Sequence, residues 1–372
     1  MTQTFEIPVP DAPTAPSSRV PGRWGLTWHG VRTVAALELR QRVRSTRWIV
    51  ALGVWAVVVG AITLLLFGAL DVLVGAPADD VTRDESGPVL FAAVTFLVLG
   101  LGLLVTPTLA STSVNGDRNA GTLATLQVTL LSPAEIALGK LLAAWAASCA
   151  FLAVSLPFLA IATGAGPTPW WALVRVVALI ALLLVAVCGV GLGMSALVAR
   201  TAGSSVLTFV VVAAVTFIAP ILFGVTYATV SSDETVRVYG MPSSWDGTDQ
   251  VACEWTQDVR SVAHTERTWW LLGVNPFVVV ADGAGTHATP GHGDDDPLAA
   301  LRDAVRQVRA GAQGQVDECW LASDEFVPAS DDAPVWPWGL GVNLLLGAAG
   351  YVVAVRRLSV PQRTLPRGTR VA

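Results

Sequence analysis

Gly139-Lys140 is the nearest this 372-residue chain comes to a phosphate-binding loop, and it falls short. A loop that wraps phosphates in successive backbone N–H groups needs G-x-x-x-x-G-K-S/T; here Ala134 stands in the first glycine's place and Leu141 in the hydroxyl's. Gly189, Gly191 and Gly193 imitate a nucleotide loop but lie in an apolar run with no strand before it. They read as small residues for close helix packing, with Gly189 and Gly193 as a GxxxG pair. His287, His292, Asp294, Asp295 and Asp296 lie in the Gly-rich stretch THATPGHGDDD, which lacks the fixed ligand spacing of a zinc site. A solvated acidic loop is expected there, and no metal site. No Ser/His/Asp or paired-carboxylate pattern stands out beside it, so no catalytic residue is assigned. Of four cysteines, Cys149 and Cys188 fall in apolar runs and are expected only to pack. Cys253 and Cys319 allow a single intrachain pairing outside those runs, and in an oxidising compartment a bridge is expected, with two free thiols as the alternative.

The elements that must carry these residues are membrane helices. The chain is 53% hydrophobic and only 14% charged, with the charges clustered, which excludes an ordinary soluble protein. Runs over 48–70, 88–111, 136–164, 171–199 and 206–230 are each long enough for a bilayer core of about 30 Å, and a sixth, 336–355, follows a long polar insertion. Pro107, Pro157 and Pro220 fall within or near the ends of spans, where static kinks are expected. The predicted fold class is an all-α integral membrane protein. Its order is a flexible lead over 1–26, an amphipathic helix over 27–47, five spans within 48–230, an outer domain over 231–335, the sixth span, and a basic tail over 356–372.

Charge sets the orientation, because Lys and Arg stay on the cytoplasmic side. The first 47 residues carry seven Arg against three acids, and the tail carries Arg356, Arg357, Arg363, Arg367 and Arg370 with no acid. The connection 71–87 has five acids and one Arg, and the insertion 231–335 has eighteen acids and six Arg. Both termini are therefore expected inside, and both acidic segments outside. Tryptophans at 170/171, 269/270 and 336/338 mark the outer interface. The apolar stretch 269–285, broken by Asn275-Pro276 and ended by Asp282, is too short to cross and reads as an interfacial or re-entrant element on the outer face. The Pro-rich lead does not have the form of a signal peptide. Within 27–47, Arg40, Arg44 and Arg47 share one face with Val31, Val34 and Ala35 nearly opposite, as suits a helix lying at the inner membrane surface. Arg175 and Lys140 lie a few residues inside span ends and are expected to snorkel. With no ionisable residue near mid-span to serve as a relay, ion-coupled transport is disfavoured. The net charge of −5 argues against a nucleic-acid partner.

Between the second and third spans lies NGDRNAGTLATLQVTLLSPAEIALGK, residues 115–140. Leu123, Leu126, Leu130 and Leu131 form an apolar stripe at helical spacing, with Thr122, Thr125, Gln127 and Thr129 off it. Ser132-Pro133-Ala134-Glu135 reads as a capping box with proline in the first turn of the next span. This Gly121-Thr122-Leu123 segment, followed by Leu131-Ser132-Pro133, Glu135 and Gly139-Lys140, resembles the cytoplasmic loop of ABC type-2 exporter permeases. Lesser likenesses are Asn275-Pro276-Phe277 and the basic tail, which is similar to the ending of actinobacterial permeases.

The resemblance implies a six-helix permease subunit of an ATP-driven exporter in a bacterial cytoplasmic membrane. It implies an amphipathic elbow helix, a homo- or heterodimer of permease subunits, and a separate cytosolic ATPase partner that binds ATP and Mg. The loop over 113–135 would be the coupling element, carried by Gly121, Thr122, Leu123, Leu126, Leu130, Leu131, Ser132, Pro133, Glu135, Gly139 and Lys140. The family's glutamates around the Gly-Thr-Leu stand here as Asp117 and Ala124, so the apolar stripe, rather than a charged contact, carries over. The outer insertion is longer than the family's external hairpin, and its clearest helix is 298–309, with Leu298, Leu301, Val305 and Val308 on one stripe and Arg302, Arg306 and Arg309 on another. Two other classes stay open: a membrane-anchored sensor or scaffold acting through the acidic outer domain, and a secondary transporter.

Overall fold

Among the described residues, six helices are long and apolar enough to cross a membrane: Thr46–Ala69, Gly87–Asn119, Pro133–Gly164, Trp170–Leu197, Thr201–Tyr227 and Trp336–Leu358. The chain thus has the architecture of a multi-pass membrane protein. The computed structural model describes residues 22–73, 80–122, 131–241, 253–286, 296–312, 314–319 and 331–359. Of the expected coupling residues, Leu123, Leu126 and Leu130 lie outside them, as do His287, His292, Asp294 and Asp295 of the acidic loop.

The helices are α1 (Trp28–Val43), α2 (Thr46–Leu73), α3 (Asp80–Ala110), the short α4 (Asn115–Asn119), α5 (Pro133–Gly164) and α6 (Trp170–Leu197). Then come α7 (Thr201–Ala213) and α8 (Ala219–Tyr227), joined through one π-helical turn, Ala214–Ile218, into a single span. The core lies between α3, α5 and α6, where Phe91, Val98, Leu99, Leu159, Ile180 and Leu183 are buried. The first and fifth spans flank it: 22% and 17% of their most apolar windows are buried, against 56% for the second and fourth, so they give most of their surface to the surroundings. Against α6 packs the last span, α12 (Trp336–Leu358), at backbone-to-backbone distance. A Cβ on Gly189 would sit 2.4 Å from the Gly347 carbonyl oxygen, and one on Gly193 would sit 2.6 Å from the Gly350 Cα. The GxxxG pair thus meets a second small pair, Gly347 and Gly350, and lets two backbones touch.

The segment that follows residue 263 enters the bundle and returns. The short α9 (Trp270–Gly273) leads to Asn275, and α10 (Pro276–Ala284) runs back. Pro276 reaches the level of Leu183 and Val187 in the middle of α6, whereas Gly283 is beside Leu179 and Gly285 beside Trp171 and Arg175 near the start of α6. Apolar but for Asp282, α10 is buried along its length except at the half-buried Phe277. Its irregular start is satisfied by side chains: Asn275 Oδ1 accepts from Phe277 N at 2.8 Å, and Asn275 Nδ2 donates to Thr216 O in the π turn at 2.9 Å. Asn343 Nδ2 donates to Val274 O at 2.9 Å. A helix break inside an apolar bundle persists only where protein groups take up the freed polar atoms. The segment 269–285, expected as an interfacial or re-entrant element, thus turns back inside the helix bundle. Asp282, expected only to end the apolar stretch, is buried and accepts from Val335 N and Trp336 N, each at 2.7 Å, so that it caps the start of α12.

The all-α expectation needs correction in the insertion. A three-stranded sheet in the order β2-β1-β3 is formed by β1 (Ser231–Gly240), β2 (Glu254–Ala263) and β3 (Gln315–Asp317). β1 and β2 pair antiparallel from Ser231 with Ala263 to Gly240 with Glu254; β3 pairs parallel to β1, Val238 with Val316. Val236, Val238 and Val262 are buried together under it. The period-two alternation of Val236-Arg237-Val238 is the signal for this strand. The bridge Cys253–Cys319 is formed, with Cα atoms 6.0 Å apart, and ties the start of β2 to the end of β3. Helix α11 (Pro297–Ala310) carries the predicted arginine stripe and uses it to hold this returning segment. Arg306 Nε donates to Asp282 Oδ1 at 2.7 Å, Arg302 donates to Thr286 O, and Arg309 lies over the Trp269 ring.

Candidate functional site: the junction at the start of the third span

Ser132 and Glu135 form both halves of the expected capping box. Ser132 Oγ accepts from Glu135 N at 3.1 Å, and Ser132 N donates to Glu135 Oε2 at 2.7 Å. The other oxygen of the same carboxylate holds α1: Glu135 Oε1 accepts from Thr27 N at 2.7 Å and from Thr27 Oγ1 at 2.6 Å. Thr27 in turn caps α1, its hydroxyl accepting from Gly30 N at 3.2 Å. Ser132 Oγ also donates to Gly25 O, so one serine and one glutamate fasten the segment entering α1 to the start of α5.

Two glycines let α1 lie flat on α5. A Cβ on Gly30 would meet the Glu135 carboxyl at 2.8 Å, and one on Gly139 would meet Val34 at 2.6 Å and Val31 O at 3.0 Å. Val31 and Val34 are each 2% exposed and Arg40 is exposed, as the helical face pattern predicts, but α1 ends at Val43, so the exposed Arg44 follows it and the exposed Arg47 belongs to α2 rather than to one face over 27–47.

Lys140 corrects the sequence reading. It does not snorkel. Its ammonium is buried and pairs with Glu38 of α1 and Asp117 of α4. Water is replaced by two carboxylates, which is the condition under which a buried ammonium is tolerable. Asp117 is thereby committed within the chain. Glu38 was not singled out in the sequence, although it is the one acid in a basic helix, and an isolated opposite charge is the signal that would have found it.

A hydroxyl network joins this end of the second, fourth and fifth spans. Ser195 Oγ accepts from Val114 N and Asn115 N, each at 3.1 Å. Asn115 Nδ2 donates to Ser204 Oγ at 3.2 Å, and Ser204 Oγ donates to Ser111 O at 2.7 Å. Tyr351 Oη of α12 donates to Ala134 O at 3.2 Å. The turn before the polar loop and the start of α5 are thus fixed to every span that ends here except the first, whose α1 extension is fixed as well.

Among the predicted residues, Ser132, Glu135, Gly139 and Lys140 are buried and face α1 or α4, Pro133 and Leu131 are half-buried, and Gly121 and Thr122 are exposed. Gly121 has φ of 71° with open space around it, a left-handed position just past α4 that suits glycine. The buried set can position the loop; the exposed pair lies on the accessible side. Among the described residues no group of three or more His, Cys, Asp or Glu is placed to hold a metal ion. No protein-family model matches the chain, and no curated protein is significantly similar to it.

Proposed function

We propose that the chain is the membrane-spanning permease subunit of an ATP-driven exporter of the ABC type-2 class. In this reading it works as a dimer of permease subunits with two copies of a separate cytosolic ATPase, which binds ATP and Mg. The observation that carries the reading is the loop 115–140, with its Gly-Thr-Leu start, leucine stripe and capped Ser132-Pro133 exit. The geometry around it supports a coupling role. Glu135, Lys140 and Ser195 lock the loop's two ends to α1, α4, α5 and α6, so a push on the loop would move spans rather than a floppy connection.

In this reading the junction and both termini face the cytoplasm across a bacterial inner membrane, with α1 as the elbow helix and the insertion outside; the charge asymmetry and the Cys253–Cys319 bridge support that placement. The partner's ATP-driven closure would then press on 121–131 and on residues 200–203 at the start of α7, tilting the spans to release cargo outward.

Replacing Leu126 and Leu130 together by Asp removes the apolar stripe while leaving the junction intact. Transport and co-purification with the ATPase should both be lost, with the protein still inserted. Full transport and full ATPase association in L126D/L130D would overturn the coupling role. Transport that ignores ATP depletion but stops when the proton gradient collapses would instead favour a secondary transporter.

A further inference from the structure

At the corner between α1 and α2 the bundle leaves a groove of about 1000 Å³ whose two ends differ in chemistry. One end carries Arg42, Ser45 and Arg47. From there the groove follows α2 past Val54 to Val58, with Leu101 of α3 facing them. Eleven residues of helix separate Arg47 from Val58, about 16 Å at the helical rise. The floor is Phe151, held edge-on by Trp48 at 5.2 Å and Trp55 at 5.0 Å between ring centroids. Trp55 is itself pinned, its Nε1 donating to Ser155 Oγ at 2.9 Å.

The polar end has cationic donors to spare. Arg42 Nη2 donates to Leu109 O at 3.2 Å, which holds the guanidinium at the groove and uses one of its donors. Arg47 is exposed and has no hydrogen-bond or ion-pair partner among the described residues. Glu38, the carboxylate lining the groove, is taken by Lys140. Two guanidinium groups at one end of an apolar slot on a lipid-facing span match an amphiphile with an anionic head.

The geometry points to a binding site for an acidic glycerophospholipid, its phosphodiester on Arg42 and Arg47 and one acyl chain along α2 toward Val58. Charge complementarity selects the acidic lipid over a zwitterionic one, whose own cation would meet the arginines. The apolar length selects a lipid over a soluble anion. The site stands apart from the exporter reading and requires only that the helices lie in a bilayer.

The test uses the full chain in nanodiscs of phosphatidylcholine containing a minor fraction of phosphatidylglycerol, with retained lipid counted by native mass spectrometry. Phosphatidylglycerol should be retained in preference to phosphatidylcholine. Arg47→Gln should lower its retention about fivefold, the effect expected of one arginine near an anionic headgroup. Arg32→Gln, exposed on α1 and outside the groove, should leave retention unchanged. Val54→Trp, which fills the apolar end without touching the charges, should displace the lipid too. The proposal is overturned if R47Q and R32Q behave alike, if V54W retains phosphatidylglycerol at the wild-type level, or if soluble glycerol phosphate displaces the lipid.

Discussion

The sharpest test of the junction is the pairing of Lys140. Its side chain is 0% exposed, and the side chains of its partners Glu38 and Asp117 are 17% and 25% exposed. Replacing one partner, as in Glu38→Gln or Asp117→Asn, leaves the ammonium facing the other carboxylate, so each single change costs about 1 kcal/mol, the net worth of an ordinary hydrogen bond. Replacing both leaves a buried charge with no counter-charge, which costs about 3–5 kcal/mol. The double variant should therefore lose about 1–3 kcal/mol more than the sum of the singles, a coupling a mutant cycle reads directly. Adding Lys140→Met to the double variant removes the stranded charge while keeping an unbranched chain of similar volume, and should restore most of the stability. Thermal loss of the monodisperse peak in size-exclusion chromatography of the detergent-purified protein measures the series. An E38Q/D117N variant as stable as the wild type would mean that the ammonium reaches water after all. A triple variant no better than the double would mean that the damage lies in packing.

Other expectations follow from single contacts. Gly193→Ala forces a Cβ against the Gly350 backbone and should destabilise the protein by about 1–3 kcal/mol, whereas Gly341→Ala, which has nothing within 4 Å, should be neutral or slightly stabilising in the same melting assay. Cys253 and Cys319 close a separation of 66 residues. Replacing both by Ser should loosen the insertion by up to about 4 kcal/mol on the chain-entropy account, seen as faster proteolysis between the fifth and sixth spans with the bundle unaffected. Hydrogen bonds from Arg260 hold the Glu318 and Asp258 carboxyls below their ordinary range. Because the folded values are depressed, their stabilisation is complete above about pH 5 and is lost as pH falls below about 4. Protease resistance of the insertion should decline over that window, and less steeply in Arg260→Gln.

Much of the bundle was legible because a bilayer imposes a one-dimensional rule, a long apolar run for each crossing. The predicted spans therefore coincide with the helices apart from their ends; the third span begins at Pro133 rather than 136 because its capping box places the first turn there. Local motifs were legible for a similar reason. The Ser132/Glu135 cap and the buried Val31/Val34 face of α1 depend on residues three apart. The strands were not read, since an acidic, Gly-rich and Pro-rich composition hides the short alternation at Val236-Arg237-Val238.

What the sequence by itself determined is the number of membrane helices, the places where they are capped or broken, and the one cysteine pair free to bridge. The tertiary structure alone decided which partners those residues meet. Lys140 taken singly is a cation near a helix end, and snorkelling is its cheapest fate; only the docking of α1 brings Glu38 to it across 102 residues. Asn275-Pro276 and Asp282 likewise read as a stop, until Thr216, Arg306 and the start of α12 supply partners that let the segment enter the core. Burial of a polar group is affordable only when its counterpart arrives from elsewhere in the chain, and such long-range pairing leaves no period or spacing in the sequence.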